Sequence, residues 1–164
     1  MNTTLTQTLY TKYPKLYVGS RENQPYDTPI PCGDGWFSIL EALSDCIQNH
    51  IDDHNHSVDF FKDKEDIPEW APRKKITCQV LQVKEKFGGL VVYVSHYTKD
   101  IRGYLKMSNT LSYRTCEYCG GKGRKTKTNW IKVLCEDCES EWQRDMYTWR
   151  TRHIQLKLPF EDFK

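Results

Sequence analysis

Apolar residues recur along one stretch of the chain at steps of three and four, which is the spacing of a helix with one buried face. The stripe consists of Trp36, Ile39, Leu40, Leu43, Ile47 and Ile51. We therefore predict the principal core helix over residues 34–51. Asp34 stands just before the stripe and is a suitable N-cap, because its carboxylate can accept hydrogen bonds from the first free N–H groups.

A different spacing follows from Ile76 onward and predicts a β-hairpin. Ile76 to Lys84 is rich in β-formers, Gly88-Gly89 offers a tight turn, and residues 90–94 form a second apolar run. The apolar alternation changes phase after Val80, which indicates either a bulge in the first strand or a strand buried on both faces. Because the second run is apolar at nearly every position, we expect it to be a central strand.

Three further helices complete the predicted elements. A short one ends before Pro14, a second covers 99–112, and a third covers 139–153. The face of this last helix carries Trp142, Met146, Trp149 and His153. We read residues 18–33 as a loop. We read 52–75 as a long acidic surface loop with room for one short helical turn, attached through Phe60, Phe61 and Trp70. Pro159 ends regular structure, and residues 161–164 form a frayed tail.

Two cysteine pairs give the strongest chemical signal in the chain. Cys116 and Cys119 form one Cys-x-x-Cys pair, and Cys135 and Cys138 form the second. This spacing is typical of a four-thiolate zinc ribbon, in which the metal has no open coordination position and is structural. The alternatives are two disulfides or four buried thiols. The pattern predicts an α+β fold: a small antiparallel sheet packed by helices, with a C-terminal zinc ribbon that leads into a helix.

Length and composition are compatible with one globular unit. The 164 residues are 38% apolar and carry a formal net charge of +2, which alone does not indicate a polyanionic partner. We assign 1–112 to the α+β core and 113–164 to the ribbon and last helix, packed together. The N-terminal residues lack a signal-peptide pattern, and no apolar run reaches the 18 residues of a membrane span. We therefore expect a reducing cytoplasm, with Cys32, Cys46 and Cys78 as small core residues.

The ribbon sequence is basic and carries an aromatic residue, which favours contact with nucleic acid or a nucleotide. The candidate ligand-binding residues are Arg114, Lys122, Arg124, Lys125, Lys127 and Trp130. Acidic residues follow directly in the chain, at Glu136, Asp137, Glu139, Glu141 and Asp145. The alternative is therefore that the two charge blocks pair with each other.

Weaker candidates lie in the core region. Gly33-Asp34-Gly35-Trp36 and Lys86-Phe87-Gly88-Gly89 could offer N–H groups and positive charge to an anion, with Asp34, Trp36, Lys86 and Gly88 as contacts. A hairpin turn needs no ligand, however, and neither segment matches a phosphate-binding fingerprint. His50 and His54 stand one helical turn apart, so they could hold a second metal ion or simply complement the end of the helix.

The sequence gives little support for an enzyme. The motifs of zinc deaminases and zincins are absent. The segment 114–120 looks like the first knuckle of HNH-type nucleases, a family that places its catalytic histidine between the two cysteine pairs. Residues 120–134 contain no histidine, so the base that this chemistry needs is missing.

Together these motifs resemble a family of small, functionally uncharacterised proteins that bacteriophages and prophages encode. The resemblance lies in the Gly-Asp-Gly-Trp helix start, the segment Gln82–Leu90 and the two cysteine pairs, and it covers roughly residues 5–140. Ser95–Lys99 departs from it, because a glycine-rich loop would be expected there. The resemblance implies an accessory phage protein in the cytoplasm of an infected bacterium.

Three functions fit this sequence. The first is a non-enzymatic, zinc-containing protein that binds nucleic acid or a nucleotide through its basic ribbon face. The second is an inhibitor or decoy that engages a bacterial host protein, such as a defence or transcription factor, through exposed aromatic residues. The third is a sponge for a small nucleotide signal, with the two glycine-containing core segments as its pocket.

Overall fold

Four helices of ten or more residues and two small antiparallel sheets make up the described chain, which confirms the predicted α+β class. The structure is a computed structural model that describes residues 1–18, 29–128 and 130–155, with side chains of the last helix described up to Asp145. The helices are α1 (Thr3–Lys12), α2 (Phe37–Phe61), α3 (Lys99–Ser112) and α4 (Glu136–Gln155). The strands are β1 (Val80–Lys86), β2 (Gly89–Val94), β3 (Arg124–Lys125) and β4 (Val133–Leu134).

The core lies between α2, α3 and the β1–β2 hairpin. α2 packs against α3, and α3 in turn packs against β2. The apolar stripe of α2 is buried as predicted, and α1 adds Leu9 and Tyr10 to the same cluster. Cys32 and Cys78 are buried in the core, whereas Cys46 is only half-buried. The helices therefore cover one face of a single hairpin.

The predicted N-cap role of Asp34 is wrong. Asp34 begins a 3-10 turn that ends at Trp36, and α2 starts only at Phe37. The Asp34 carboxylate accepts hydrogen bonds from the backbone N and the Nδ2 of Asn2, at 2.6 and 2.7 Å. Asn2 is itself the N-cap of α1, since its Oδ1 accepts from the N–H of Leu5. Asp34 thus fixes the start of α1 against the start of α2.

The helix α2 continues through the first part of the predicted acidic loop, so that prediction is wrong for residues 52–61. No glycine or proline occurs between Asp52 and Ile67, and nothing in the backbone chemistry stops the helix. Asn55 holds the extension against the chain before β1: its side chain accepts from the N–H of Ile76 and donates to the Ile76 carbonyl. The aromatic attachment is present, because the Phe61 and Trp70 rings meet edge to face at 5.6 Å.

The β1–β2 hairpin forms with a turn shifted by one residue. Lys86 pairs with Gly89, so the turn residues are Phe87 and Gly88, and Gly89 belongs to the strand. The predicted bulge is present between Val80 and Gln82. The expectation that β2 is a central strand is wrong: within the described chain β2 pairs only with β1, and its burial alternates because one face packs on the core.

Several expectations fall on parts of the chain outside the description. These are most of the loop 18–33, the side chains of Met146, Trp149 and His153, and the tail after Gln155. The last helix begins at Glu136 and not at 139, so Cys138 already belongs to its first turn. None of the described helices is both long and apolar enough to cross a membrane.

Candidate metal centre

The four cysteines of the two pairs converge on one point. Their Sγ atoms all lie within 4.8 Å of one another, as metal ligands must. Within the described ranges no other group of three or more histidine, cysteine or acidic side chains comes this close. All seven cysteines of the chain are free thiols, so the two-disulfide alternative is not the arrangement found.

The thiol geometry fits a tetrahedral ion. With four sulfurs at about 2.3 Å from a metal, each sulfur–sulfur edge of the tetrahedron measures about 3.8 Å. The Sγ atoms of Cys119 and Cys135 are 3.7 Å apart, which matches such an edge and far exceeds a disulfide bond. The cluster could therefore hold one metal ion, and four thiolates would leave it no open position for a substrate.

Two short turns aim the thiols. In the first, Cys116 N–H donates to the Gly121 carbonyl at 2.7 Å, and Gly120 N–H donates to the Cys116 carbonyl at 2.9 Å. Gly120 has a φ of 78°, which a residue with a side chain adopts at a cost. In the second turn, Cys138 N–H donates to the Sγ of Cys135 at 3.5 Å. This second pair of thiols is supported by the start of α4.

The local backbone prepares one thiol for ionisation. Burial raises the pKa of Cys116, but N–H groups of Cys119, Cys135 and Tyr118 outweigh it and lower that pKa from 9.0 to about 7. The pKa of Cys138 is raised, first by burial and then by its contacts with the neighbouring thiols. At Cys119 the Gly121 N–H favours the thiolate, but contacts with Cys116 and Cys135 raise the pKa overall. Metal binding must therefore displace protons from the cluster.

A buried carboxylate inside the first pair connects the ribbon to the core. Glu117 is only 3% exposed, and its Oε2 forms an ion pair with Lys132 Nζ at 2.8 Å. Lys132 also lies 4.0 Å from Glu85 on β1. Glu117 N–H donates to the Val133 carbonyl. One residue of the Cys-x-x-Cys sequence thus contacts the opposite strand of the ribbon through both its backbone and its side chain.

The Gly-Asp-Gly-Trp segment packs directly on the first turn of the ribbon. Gly33 N–H donates to Glu117 Oε1, and Gly35 N–H donates to the Glu117 carbonyl. Trp36 is 0% exposed and its Nε1 donates to the Thr115 carbonyl at 3.0 Å. A Cβ atom on Gly35 would lie 2.2 Å from the Cys116 carbonyl oxygen, so only glycine allows this approach. We call this packing of Gly33, Gly35 and Trp36 on residues 115–120 the helix-entry contact.

The helix-entry contact gives Asp34 and Trp36, two candidate ligand-binding residues, a structural role. Asp34 is bonded to Asn2, and the Trp36 ring is closed off from solvent. The N–H groups of Gly33 and Gly35, which the sequence offered as anion donors, are both used by Glu117. This segment therefore holds the ribbon against the core and does not line an open binding site.

The hairpin turn packs on the ribbon from another direction. A Cβ on Gly88 would lie 3.2 Å from Cγ2 of Ile131, and one on Gly89 would lie 2.6 Å from the Tyr113 ring. Gly88 N–H donates to Glu85 Oε1 at 2.7 Å. We call the packing of Gly88 and Gly89 on Tyr113 and residues 131–133 the hairpin contact. Of the two remaining candidates, Gly88 is buried in this contact, whereas Lys86 is exposed beside it.

The basic candidates of the ribbon divide into two groups. Arg124 forms an ion pair with Glu139 of the acidic block at 2.7 Å, so the expected pairing of the two charge blocks occurs at this residue. Lys132 of the same ribbon pairs instead with Glu117, inside the first cysteine pair. Arg114, Lys122 and Lys127 are exposed and form no ion pair with any described residue. Lys125 is exposed over the Tyr113 ring, at 4.6 Å from its centroid, and Trp130 is largely exposed.

The histidine pair is engaged elsewhere. His50 Nε2 lies 3.1 Å from the Thr98 hydroxyl, and His54 Nε2 lies 3.0 Å from the Lys74 carbonyl. Their ring centroids are 6.4 Å apart, and in the described chain they join no group of three metal-binding side chains.

The role of Glu117 was not predicted from the sequence. An acidic residue inside a Cys-x-x-Cys pair, with a lysine on the second ribbon strand, was the available signal. The geometry of the four thiols supports a metal site. None of the protein-family models, curated proteins and solved structures compared with the chain matches it.

Proposed function

We propose that this chain is a non-enzymatic zinc protein whose ribbon presents a basic face to nucleic acid. Four thiols at a tetrahedral edge length favour Zn²⁺, because a set of sulfur ligands without imidazole or carboxylate is typical of structural zinc. Cys116, Cys119, Cys135 and Cys138 would hold the ion, which would fix the two turns and carry out no reaction. The resemblance to phage-encoded proteins supports an accessory role in a bacterial cytoplasm.

The observation that carries the binding proposal is the division of the ribbon charges. Arg124 and Lys132 neutralise acidic residues of the same fold, whereas Arg114, Lys122 and Lys127 remain exposed without an ion-pair partner in the described chain. Basic side chains without an acidic partner in the fold are available to a ligand, and phosphate groups form strong charge-assisted hydrogen bonds with them. Thr115 pairs with Lys122 in an isolated bridge, so Lys122 stands on ordered backbone beside the metal ligands.

The nucleotide-sponge alternative loses support, because the N–H groups that would hold a phosphate at Gly33 and Gly35 are bonded to Glu117. The host-protein alternative keeps the exposed aromatic residues on which it rests, among them Trp70 at 77% and Phe87 at 69%, and Met107 and Leu111 are also exposed one turn apart on α3. Two such side chains form a small apolar strip, which is less than a protein interface needs.

The zinc proposal is tested by native mass spectrometry of protein purified from a bacterial host. We expect one zinc ion per chain, lost together with ribbon structure when a chelator is added. A folded, metal-free protein, or one with the four cysteines oxidised in pairs, would refute the proposal.

The binding proposal is tested by fluorescence anisotropy with labelled duplex and single-stranded oligonucleotides. Dissociation constants of about 1–100 μM are expected near physiological salt, and they should rise steeply with salt concentration. Replacing Arg114, Lys122 and Lys127 by glutamine should weaken binding at least about tenfold and reduce the salt slope by about 2–3.

A matched control comes from the segment after α2. Lys62, Arg73 and Lys74 are also one arginine and two lysines, exposed and without an ion pair to a described residue. Replacing them by glutamine changes the net charge by the same amount and should leave binding within about twofold, since they contribute only long-range attraction. Equal losses in both triple variants would reduce the effect to net charge and contradict a specific ribbon face.

A further inference from the structure

The β1–β2 turn exposes an aromatic ring that the fold does not require. Phe87 has a φ of 52°, and it is the one non-glycine residue with positive φ in the described chain. Its side chain is 69% exposed. This turn position favours asparagine or aspartate, because a bulky side chain is sterically disfavoured there. A strained position that carries an exposed ring points to a use for the ring itself.

Phe87 belongs to the turn through which the hairpin meets the ribbon loop. In the hairpin contact Gly88 lies against Ile131, so Phe87 is next to the ribbon loop. Ile131 is 39% exposed and the neighbouring Trp130 is 66% exposed. The hydroxyls of Thr126 and Thr128 donate to the Trp130 carbonyl, which fixes the backbone that carries this residue. We call Phe87, Trp130 and Ile131 the aromatic surface.

The two chain segments that carry the aromatic surface have only basic residues among their charged side chains. The segments Lys86–Gly89 and Lys125–Ile131 contain no acidic residue. They contribute the exposed cations Lys86, Lys125 and Lys127. The nearest acidic residue of the hairpin, Glu85, is turned inward, with Oε1 on the Gly88 N–H and Oε2 4.0 Å from Lys132. A ligand of this surface must therefore combine flat apolar faces with negative charge.

We propose that the aromatic surface binds a single strand of nucleic acid. Bases stack on Phe87 and Trp130, while the phosphates lie along Lys86, Lys125 and Lys127. A single strand exposes the faces of its bases, whereas a duplex keeps them inside its own stack. This inference rests on the proposed function and deepens it, because it names the form of nucleic acid and extends the ribbon face to the hairpin.

The test compares three probes on the full chain: a labelled DNA strand of about twelve nucleotides, the same sequence as RNA, and the blunt DNA duplex. The double variant Phe87→Asn with Trp130→Ala should bind the single strands about 10- to 100-fold more weakly, and the duplex within about twofold of the wild type. The two single-stranded probes decide whether DNA or RNA binds more tightly.

Two further variants keep the result specific. Phe60 and Trp70 are 56% and 77% exposed elsewhere, so Phe60→Ala with Trp70→Ala removes the same ring types and should leave affinity unchanged. Trp130→Phe keeps a stacking ring, and should hold affinity within about threefold while most of the fluorescence quenching by the strand disappears. Circular dichroism and metal content verify that each variant is folded and loaded.

The outcomes separate this inference from the proposed function. If single strands and duplex bind equally and the aromatic double variant changes neither, the aromatic surface is not a stacking site, although the basic ribbon face still binds nucleic acid. If no probe binds even at low salt, both the inference and the proposed nucleic-acid function are refuted. Loss of single-strand binding alone, with duplex binding retained, supports the inference.

Discussion

The helix-entry contact and the hairpin contact both press glycines of the core against the ribbon, but through different atoms. At the helix entry, Gly33 and Gly35 meet backbone atoms of residues 116–120, and Trp36 is fully buried. At the hairpin, Gly88 and Gly89 meet mainly side chains, among them those of Ile131, Val133 and Tyr113, and the one backbone atom among their near neighbours is the Lys132 carbonyl carbon at 3.4 Å. Backbone cannot be repacked without moving the metal ligands, whereas side chains can shift.

The two contacts also differ in whether their aromatic residue is buried or exposed. The helix-entry contact lies on the segment that contains Cys116 and Cys119, and it exposes none of Trp36. The hairpin contact lies on Tyr113 and residues 131–133, which include none of the four clustered cysteines, and beside it the Phe87 ring stays exposed. We infer that the first contact transmits the state of the metal centre to α2, and that the second positions side chains at the surface.

The largest expected effect comes from Cys135→Ser. Loss of one thiolate should abolish stable metal binding, which supplies about 10–16 kcal/mol in small zinc modules, and the ribbon should unfold. Hydrogen exchange should show full loss of protection over residues 115–134 and partial loss at Gly33–Trp36.

Cys46→Ser is the control for this variant, because Cys46 is a half-buried thiol outside the cluster. It should retain one metal ion and a protected ribbon. Retention of metal by Cys135→Ser would mean that the four thiols do not act as one site.

The next effect is that of Gly35→Ala. Its Cβ would meet the Cys116 carbonyl oxygen at 2.2 Å and the Gly120 nitrogen at 2.3 Å, so the first turn of the ribbon must move. We expect the free energy of unfolding to fall by about 3 kcal/mol or more in urea denaturation.

Gly103→Ala provides the matched control. Gly103 lies inside α3 and a Cβ there meets nothing within 4 Å. This change should raise stability by about 0.5–1 kcal/mol through helix propensity. Similar behaviour of the two alanine variants would show that the helix-entry contact is looser than its geometry indicates.

A smaller loss is expected for Gly88→Ala. Gly88 has a φ of 78°, and its Cβ would lie 3.2 Å from the flexible end of Ile131. Left-handed strain together with this mild overlap should cost about 1–2 kcal/mol in urea denaturation, less than at Gly35. A larger loss than for Gly35→Ala would reverse the order that we assign to the two contacts.

The smallest effect has the opposite sign. Phe87→Asn places a residue that tolerates left-handed backbone at a φ of 52° and removes a ring that is mostly exposed. We expect stability to rise by about 0.5–1 kcal/mol in the same measurement. Destabilisation would show that the ring serves folding, which would remove the argument for its display.

Elements with regular spacing could be predicted from the sequence. The stripe of α2, the helix α3, the hairpin with its bulge at Leu81, and the convergence of Cys116, Cys119, Cys135 and Cys138 all depend on local periodicity or on ligand spacing. The end of α2 could not be predicted in this way. Residues 52–61 are mostly polar. Their helix is held by two hydrogen bonds between the Asn55 side chain and the backbone of Ile76, a residue distant in the sequence.

Of the candidate site, only the cluster of four cysteines could be predicted from the sequence. The glycines in Gly-Asp-Gly-Trp and Phe-Gly-Gly suggested anion binding, because a glycine allows another group to come close to the backbone. The sequence does not show whether that group is a ligand or another part of the chain. In the fold the approaching group is the ribbon. The division of the basic residues also depended on tertiary contacts, since Arg124 reaches Glu139 only after α4 has packed beside the ribbon.

The hydrogen bond between Gly35 and Glu117 can be used to monitor the first turn of the ribbon. The Glu117 carbonyl receives the Gly35 N–H at 2.9 Å, and Glu117 stands between two thiol ligands in the chain. Any loosening of the first turn must lengthen that bond, and an amide proton shifts upfield when its acceptor withdraws. We therefore expect the Gly35 resonance in a nitrogen-15 correlation spectrum to shift when the four thiols gain or lose a metal ion.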